Sequence, residues 1–393
     1  MSGNRLNQKL KIAVGLSGGV DSSVAAALLK KEGHDVIGVH MLNSDVDQPG
    51  CSGSEDRAYA LRVAKQLEIP FRVVDFRKEY REKVIDRFVK EYQQGRTPNP
   101  DIWCNEFIKF GMFLDYAVGE LGVDKIATGH YARVREWRIE NGDKELQKLC
   151  YQLLIGTDHK KDQSYFLYRL TQAQLSKTIF PLGEYTKDQV RKMAAKLKMP
   201  TAQRPDSVGI CFVGDIDVKE FLRERIKFHP GEVVDTSGKV IGRHEGVQLY
   251  TIGQRHGLEL TDYQGEPLYV IEKDVDGNQL VVGRDRESEV GEFLIGDLHF
   301  INNQYENYNH QINFNNQTKM SELRVRIRHL GELLPCQLEF LRGQPVTARC
   351  LLSAATHGVA SGQHAVFYQE DQVLGGGVID TLRYNETRAH VNN

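Results

Sequence analysis

Residues 15–22 form a short glycine- and serine-rich segment whose composition suits it to bind an anion. The residues Gly-Leu-Ser-Gly-Gly-Val-Asp-Ser stand between an apolar run, residues 11–14, and an alanine-rich run that predicts a helix. A turn between a strand and a helix N-terminus aims backbone N–H groups and the positive end of the helix dipole at one point. Glycine lets the backbone approach phosphate oxygens, and serine adds hydroxyl donors. The segment lacks a lysine after its second glycine, which excludes the GxxxxGK[ST] phosphate loop.

Two further segments carry thiols. Residues 95–105 form a proline-rich loop with Asp101 shortly before Cys104, at a predicted helix start. A helix N-terminus lowers the pKa of a thiol, so this position favours a thiolate. Cys211 lies between two large apolar residues, and on residue types alone it is equally consistent with a buried strand residue. The two thiols are far apart in the chain, so only the fold can bring them together.

Composition describes a globular chain of 393 residues, with 40% hydrophobic and 26% charged residues. The net charge of −2 gives no overall signal for nucleic acid, so an RNA site must come from local basic patches. The six cysteines include no CxxC pair, which removes the common zinc and iron–sulfur patterns and predicts no metal ligated by the protein. The absence of a long apolar run or secretory signal predicts no membrane partner and a reducing cytoplasm.

Strands and helices alternate through the first half of the chain. Strands are predicted at 11–14, 36–41, 71–76 and 125–128, and helices at about 79–94 and 105–121. This alternation predicts an α/β fold with a doubly wound parallel sheet, in which ligands bind at the carboxyl ends of strands. The glycine- and serine-rich segment, Met41 and Gly129 follow such strands and are expected to meet. Residues 136–148 predict a surface hairpin, and residues 186–189 a capping box that opens a helix. The polar face of that helix, which includes Lys187, is read either as solvated or as an RNA contact.

The second half is rich in short β-like runs. We predict a small central domain and then a C-terminal β-barrel, giving domains at 1–217, 218–287 and 288–384 and a disordered tail at 385–393. Alternation in residues 323–328 places Arg324, Arg326 and Arg328 on one strand face. An exposed face of three arginines either binds phosphates or is simply solvated.

The order of motifs resembles a known family. SGGVDS resembles the pyrophosphate loop of the N-type ATP pyrophosphatases, and with GRTPNPDIWCN, IKF, ATGHYAR, KDQSYFLY, FPLGEYTK, GICF and YTIGQR the chain resembles the tRNA-specific 2-thiouridylases over about residues 11–380. The resemblance implies a nucleotide-binding domain that contains this loop, the central domain and the barrel. It also implies ATP with Mg²⁺ as cofactors, and an ATP-dependent exchange of O2 for sulfur on the wobble uridine of tRNA.

The resemblance assigns roles to individual residues. It implies that ATP is bound by Gly15, Leu16, Ser17, Gly18, Gly19, Val20, Asp21, Ser22, Met41 and Gly129. Cys104 would be the nucleophile and Cys211 would carry a persulfide, while Asp101 would move a proton or orient the base. The residues implied to contact the target base or the tRNA are Asn99, Pro100, Asp101, His130, Lys161, Asp162, Gln163, Arg326, Ile327 and Gln363. Ile327 stands where family members often have Tyr.

The implied partners are the anticodon stem-loops of the Lys, Glu and Gln tRNAs, and a persulfide donor protein or cysteine desulfurase. Two other classes compete. Another ATP pyrophosphatase, such as an amidotransferase-type synthetase or a sulfurtransferase for a different base, predicts a glutaminase domain or CxxC ligands, and neither pattern is seen. A non-catalytic RNA-binding module would not need both thiols.

Overall fold

The computed structural model describes residues 9–43, 53–139, 148–206, 218–261, 263–302, 323–341 and 347–380. These ranges contain three β-sheets. The strands of the first half are β1 (Lys11–Gly15), β2 (Asp35–Leu42), β3 (Phe71–Asp75), β4 (Lys125–Ala127), β5 (Ala132–Ile139), β6 (Lys148–Ile155) and β7 (Thr178–Ile179). The strands predicted from the apolar runs of this half are all present.

The first sheet has the strand order β3-β2-β1-β4-β7, and every neighbouring pair is parallel. Alternate residues of β1 enter different cores: Ile12 and Val14 pack in a cluster with Ala60, whereas Ala13 packs in one with Phe113. A strand buried on both faces reads as a continuous apolar run, which is why the sequence shows no polar alternation here. The predicted doubly wound parallel sheet is confirmed.

The described residues contain nine α-helices. They are α1 (Val20–Lys31), α2 (Gly53–Gln66), α3 (Arg77–Tyr80), α4 (Asp86–Gln93), α5 (Pro100–Trp103), α6 (Phe113–Gly119), α7 (Gln172–Ser176), α8 (Lys187–Lys196) and α9 (Val218–Arg223). Two π-helical stretches, Arg81–Ile85 and Cys104–Met112, join α3 to α4 and α5 to α6 without a break. The two predicted long helices are therefore present, but each begins earlier than predicted, at Arg77 and at Pro100.

The predicted capping box opens α8. The Thr186 hydroxyl accepts a hydrogen bond from the backbone N–H of Gln189, and the Gln189 side chain accepts one from the backbone N–H of Thr186. This reciprocal pair satisfies two N–H groups that would otherwise lack partners at the helix end. Val190 and Ala194 on the apolar face of α8 share a core cluster with Val24 of α1.

Strands β5 and β6 form the hairpin predicted from the polar residues at 136–148, but it is more than a surface feature. The two strands pair in antiparallel register from Ala132↔Ile155 to Ile139↔Lys148. Strand β6 then pairs with a strand near the C-terminus, through Gln372↔Leu154 and Val373↔Leu153. The hairpin therefore extends the sheet of the C-terminal barrel, a long-range pairing that local residue patterns do not encode.

The central region forms a separate five-stranded sheet with the order β10-β9-β8-β12-β11. Its strands are β8 (Gly231–Asp235), β9 (Val240–His244), β10 (Glu259–Leu260), β11 (Tyr269–Asp274) and β12 (Gln279–Gly283). Inward-facing Val233, Val270 and Leu280 are fully buried in its own core.

The C-terminal strands close into a six-stranded antiparallel barrel, as predicted. They are β13 (Val290–Phe300), β14 (Leu323–Arg326), β15 (Leu334–Leu341), β16 (Thr347–Thr356), β17 (His364–Gln369) and β18 (Gln372–Asp380). The order β13-β16-β15-β14-β17-β18 is closed by pairing of β13 with β18. Closure gives each barrel strand a paired neighbour on both sides, and β6 pairs with the first residues of β18.

The barrel and the parallel sheet share one core. Val366, Tyr368 and Val373 of the barrel lie in the same buried cluster as Cys104 and Phe110. None of the described helices is both long and apolar enough to cross a lipid bilayer. Cys211 and the tail predicted at 385–393 lie outside the described residues.

Candidate active site

The glycine- and serine-rich segment after β1 is held by its own hydroxyl groups. The Ser22 hydroxyl accepts a hydrogen bond from the backbone N–H of Ser17 at 3.2 Å and lies 3.1 Å from the Ser17 hydroxyl. Gly18 has a φ of +87°, and a Cβ atom there would lie 2.3 Å from the Asp56 carbonyl oxygen of α2. Only glycine fits this position, because both the backbone conformation and the space exclude a side chain.

Gly129 and Met41 face this loop from the ends of neighbouring strands. A Cβ atom added to Gly129 would lie 2.7 Å from the Ser22 backbone nitrogen. The Met41 side chain would lie 3.2 Å from a Cβ added to Gly15. The residues predicted to meet at the carboxyl ends of β1, β2 and β4 thus lie together. The loop is therefore enclosed on two sides by the ends of β2 and β4.

A cluster of ion pairs adjoins the loop and centres on Asp21. Lys187 Nζ lies 2.7 Å from Asp21 Oδ1 and 2.9 Å from Asp206 Oδ1, and the Tyr131 hydroxyl donates to Asp21 at 2.9 Å. Lys161 Nζ lies 2.9 Å from Asp206 Oδ2, and Arg191 also pairs with Asp206. Burial raises the pKa of Asp206, but hydrogen bonds from Lys161 and Lys187 outweigh burial and hold the pKa well below its usual value.

Lys187 is a site residue that sequence reasoning placed wrongly on an open helix face. Its side chain is 11% exposed and joins two carboxylates. One sequence signal was available. A lysine in the first turn of a helix opposes the helix dipole, so its presence there indicates an acidic partner elsewhere.

Arg204 forms a second contact with the loop. Its guanidinium donates to the Gly18 carbonyl at 2.8 Å and to Asp56 Oδ1 at 2.7 Å, and it stacks on the Tyr59 ring at 4.4 Å. Arg204 and the cluster around Asp21 therefore place cationic groups on two sides of the loop. Each of these cations is paired with a carboxylate, Arg204 with Asp56 and Lys187 with Asp21.

Cys104 lies on the continuous helix that runs from Pro100 to Gly119, one turn inside it rather than at its start. It is 1% exposed, and burial raises the pKa of its thiol. The expectation that the helix N-terminus lowers this pKa is wrong, because proximity to the terminus is outweighed by loss of solvent. Further along the same helix, Phe113 lies 3.6 Å from a Cβ added to Gly15, so this helix packs beneath the loop.

The proline-rich loop before Cys104 is tied to the barrel. Gln363 donates to the Thr97 carbonyl at 2.8 Å, and the Thr97 N–H donates to the Ser361 carbonyl at 2.8 Å. Asn99 then occupies the N-cap position of α5 without a side-chain capping hydrogen bond, and Pro100 takes the first helical position. Gln363 thus lies beside the residues predicted to contact the target base.

The consecutive residues Lys161, Asp162 and Gln163 point to three different places. Lys161 joins the ion pairs around Asp206, and Gln163 accepts a hydrogen bond from the Tyr131 backbone N–H at 3.1 Å. Asp162 is 1% exposed and accepts hydrogen bonds from Arg326 at 2.9 Å and from the Ser164 hydroxyl at 3.0 Å.

Arg326 corrects the interpretation of an exposed arginine face. Strand β14 ends at Arg326, and Val325, Arg326 and Ile327 are all buried, so the alternation stops there. Arg324 and Arg328 remain exposed. Arg326 instead turns its guanidinium to Asp162, and Ile327 packs in the barrel core. Contacts of Asp162, Arg326 and Ile327 with tRNA stay predictions, since these side chains face protein in this structure.

His130 is also enclosed. Its ring lies 5.7 Å from that of Phe110 and 6.0 Å from that of Phe180, between ring centroids, and its Nδ1 lies 2.7 Å from the Thr128 hydroxyl. Burial holds the pKa of His130 well below its usual value, so the ring is neutral. Its predicted contact with tRNA stays a prediction.

His329 is a residue that sequence reasoning missed. Its ring lies 4.3 Å from the Phe166 ring, between centroids, and burial lowers its pKa. The charges that act on it include those of Asp162 and Asp101, so the barrel brings His329 to the neighbourhood of the Cys104 helix. A histidine directly after alternating arginines gave only a weak signal for such a position.

The loop, its flanking cations and the buried thiol define a nucleotide-binding α/β domain joined to a β-barrel. Three family models match in succession. They are described as a tRNA methyl transferase HUP domain over residues 10–215, a tRNA methyl transferase PRC-barrel domain over 219–284 and an aminomethyltransferase β-barrel domain over 292–379.

Two relatives match nearly end to end. The tRNA-specific 2-thiouridylase MnmA of Listeria welshimeri is 42% identical over 97% of this chain and 98% of its own length. That of Pasteurella multocida is 42% identical over 95% of this chain and 94% of its own. A solved 4-thiouridine synthetase in complex with RNA and ATP is 19% identical over 55% of this chain and 50% of its own, with a TM-score of 0.35. The chain belongs to the tRNA-specific 2-thiouridylase family.

Proposed function

We propose that this chain uses ATP to replace O2 of the wobble uridine of tRNA with sulfur, forming 2-thiouridine, AMP and pyrophosphate. Membership of the thiouridylase family over the whole chain supports the reaction class. The observation that carries the proposal is a meeting of three elements at one end of the parallel sheet. They are the glycine- and serine-rich loop at residues 15–22, called the anion loop below, Gly129 and the helix that bears Cys104. Phe113, on the helix that bears Cys104, packs against Gly15 of this loop, which supports a phosphate site and a thiol on elements that are in contact.

The first step is adenylation of the base. Uracil O2 attacks the α-phosphorus of ATP, a new O–P bond forms, and the bond to the β-phosphate breaks to release pyrophosphate. Backbone N–H groups of residues 15–22 would hold the phosphates, and Lys187 and Arg204 would neutralise charge on either side. Mg²⁺ bound to the triphosphate would neutralise further charge, and Asp21 is the carboxylate at the loop that could help to hold it. Asp101, in the first turn of α5, would orient the base or handle its N3 proton.

The second step transfers sulfur. The terminal sulfur of a persulfide on Cys211 attacks C2, and AMP leaves with the electron pair of the C–O bond. The Cys104 thiolate then attacks the inner sulfur, which is Cys211 Sγ. The S–S bond breaks, its electron pair passes to the sulfur on the base, and a Cys104–Cys211 disulfide remains. A thiol reductant then restores the two cysteines. A persulfide-carrying protein or a cysteine desulfurase would supply the sulfur.

The substrate is the anticodon stem-loop of the Lys, Glu and Gln tRNAs. A base in a single-stranded loop can leave the stack at low cost. Exposed Arg324 and Arg328 on the barrel and Lys161 near the loop offer cations to the RNA backbone. A cycle that ends by reducing a Cys104–Cys211 disulfide supports a reducing cytoplasm as the compartment.

The test is sulfur incorporation into the tRNA in the presence of ATP and a persulfide donor, read by mass spectrometry of anticodon nucleosides. Wild-type protein should form 2-thiouridine at the wobble position. Cys104→Ala and Cys211→Ala should each abolish thiolation while ATP still binds, and Asp21→Ala should prevent AMP formation. Cys150→Ala is the matched control, because Cys150 is a buried cysteine of β6 outside every motif.

Three results would contradict the proposal. Wild-type sulfur incorporation in Cys104→Ala or Cys211→Ala would remove the persulfide mechanism. Unchanged AMP release in Asp21→Ala would remove the role of the loop. Sulfur found at another base would leave an ATP-dependent sulfurtransferase of different specificity.

A further inference from the structure

The helix that bears Cys104 is widened along its middle. The stretch Cys104–Met112 is π-helical, and the backbone N–H of Phe113 donates to the carbonyl of Ile108, five positions earlier. A Cβ atom added to Gly111 would lie 3.0 Å from the carbonyl oxygen of Glu106, again five positions earlier. Isolated π-turns are rare within helices and occur often at functional sites.

The widening changes which side chains lie together. In an α-helix a residue five positions on is about 1.4 turns away and faces a different direction. A π-turn closes with a hydrogen bond over five residues, so residues five apart return to neighbouring positions on one face. Cys104 and Lys109 have this spacing. Cys104 is the first residue of the π-helical stretch, and Lys109 lies within it. Lys109 belongs to the Ile-Lys-Phe motif, to which the proposed function gives no role.

The segment around Lys109 packs against the residues that follow β4. Its neighbour Phe110 packs against His130, with ring centroids 5.7 Å apart. The Lys109 charge acts on both His130 and Cys104, lowering the pKa of each, after the effect of burial. The Lys109 charge therefore acts on the thiol and on the histidine that follows Gly129.

The thiol needs such a cation. Cys104 is 1% exposed, and burial raises the pKa of its thiol. Besides burial, the groups that act on the pKa of the Cys104 thiol are Lys109, Asp101 and the Tyr80 hydroxyl of α3. Asp101 raises the pKa further, whereas Lys109 and hydrogen bonding to Tyr80 lower it. Lys109 is the cation of this set.

We propose that Lys109 is a positioning residue that stabilises the Cys104 thiolate across the π-helical turn, and so prepares the sulfur for attack. This role deepens the proposed function and rests on it. The Cys104 Sγ–H bond breaks, its proton passes to solvent, and its electron pair stays on sulfur beside the Lys109 ammonium. That pair then forms the bond to Cys211 Sγ in the second step described above. The ammonium itself neither gains nor loses a proton.

The direct test is titration of Cys104 without RNA. The thiolate absorbs in the ultraviolet, so absorbance of the full chain against pH, minus that of Cys104→Ser, reports the Cys104 thiolate alone. Lys109→Met should raise the apparent pKa by about one unit, a tenfold loss of thiolate at neutral pH. Lys109→Arg should restore most of the thiolate, because it keeps the charge. Asp101→Asn should shift the titration the opposite way, which tests the same electrostatics without altering Lys109.

Kinetics supply a second readout. In a single turnover with persulfide-loaded protein, Lys109→Met should release thiolated tRNA about tenfold more slowly at neutral pH and recover as the pH rises. AMP formation should stay unchanged, because adenylation does not use the thiolate. Lys83→Met is the matched control, because it removes a lysine from the helical segment Arg81–Ile85. Lys83 lies over the Phe107 ring, with its Nζ 5.4 Å from the ring centroid.

The outcomes separate this proposal from the proposed function. An unchanged Cys104 titration in Lys109→Met, or equal behaviour of Lys109→Met and Lys109→Arg, would overturn the role of Lys109. A shifted titration in a protein that thiolates no tRNA would support the electrostatic role and overturn the proposed function.

Discussion

Two ion-pair networks start from adjacent residues and differ in their access to solvent. Lys161 enters an open network with Asp206, Lys187 and Asp21, in which the Asp206 and Asp21 side chains are 28% and 33% exposed. Asp162 enters a closed network with Arg326, in which its side chain is 1% exposed. Both networks therefore begin at adjacent residues of the short segment that follows β6.

The difference indicates two tasks. The open network borders residues 15–22, and under the proposed function its partly exposed charges would exchange partners with the phosphates of ATP. The closed network joins the α/β domain to the barrel, and Asp162 accepts hydrogen bonds from the backbone N–H groups of Gly156 and Ser164, the Ser164 hydroxyl and Arg326. Breaking a buried pair strands a charge, whereas breaking an exposed pair costs little. The predictions below measure this contrast.

The largest effect is expected for Arg326→Met. It leaves the Asp162 carboxylate buried without its cation, so the free energy of unfolding should fall by about 3–5 kcal/mol. Urea denaturation followed by circular dichroism measures the loss. Arg324→Met is the matched control, because Arg324 lies on the same strand with an exposed side chain, and it should change stability by less than about 0.5 kcal/mol. Equal losses in the two variants would show that the closed network has no special weight.

Lys187→Met tests the open network. It leaves Asp21 and Asp206 facing the phosphate site without the cation that joins them, so ATP affinity should fall about tenfold to a hundredfold, or about 1.5–3 kcal/mol. Calorimetric titration with a non-hydrolysable ATP analogue measures the change. Lys196→Met on the exposed face of α8 is the control. Wild-type affinity in Lys187→Met would separate this network from nucleotide binding.

The stability of the folded chain should also depend on acid, through the buried side chain of His364. Tyr168 hydrogen-bonds to its Nδ1 at 2.8 Å, and burial lowers the pKa of His364 to about 3, from an ordinary value of 6.5. Between these two values the unfolded chain binds a proton that the folded chain does not, so stability rises with pH across this window.

Lowering the pH from 7 to 5 is therefore expected to reduce the free energy of unfolding by about 2 kcal/mol through His364. The measurement is the urea midpoint against pH for wild type and for His364→Gln, which keeps a polar group near Tyr168. The variant should show a flatter dependence than wild type between pH 7 and 5. Parallel curves would mean that His364 does not control this response.

The smallest effect is expected for Lys161→Met. The Lys161 side chain is 43% exposed, and Asp206 keeps Lys187 and Arg191, so stability should change by less than about 1 kcal/mol. The same urea measurement applies. A loss as large as that of Arg326→Met would remove the distinction between open and closed networks.

Much of the fold followed from local patterns. Apolar runs separated by helical spacing predicted the parallel sheet, and β1 buries alternate residues in two cores as such a sheet requires. The loop at residues 15–22 was recognisable because its glycines have one structural use: Gly18 takes a positive φ against the Asp56 backbone. The capping box of α8 was likewise visible, since its donors and acceptors lie within four consecutive residues.

Other features depended on distant partners. The alternating pattern of residues 323–328 predicted that Arg324, Arg326 and Arg328 share one face. It could not show that the strand ends at Arg326, or that the Arg326 guanidinium donates to Asp162. Nothing local in residues 132–155 shows that their hairpin joins the barrel through β18. Helix position alone misjudged the Cys104 thiol, because burial by residues far along the chain outweighs the helix terminus.

The sequence by itself determined the elements and the chemical groups: the anion loop, the thiols, the parallel sheet and the barrel. These follow from backbone conformation and side-chain periodicity, which act over a few residues. Tertiary structure alone decided which charges are buried together, which lysine joins Asp21, and how far the Cys104 thiolate is favoured. Those properties depend on solvent exclusion and on charges brought close by folding, and neither can be read from neighbours in the chain.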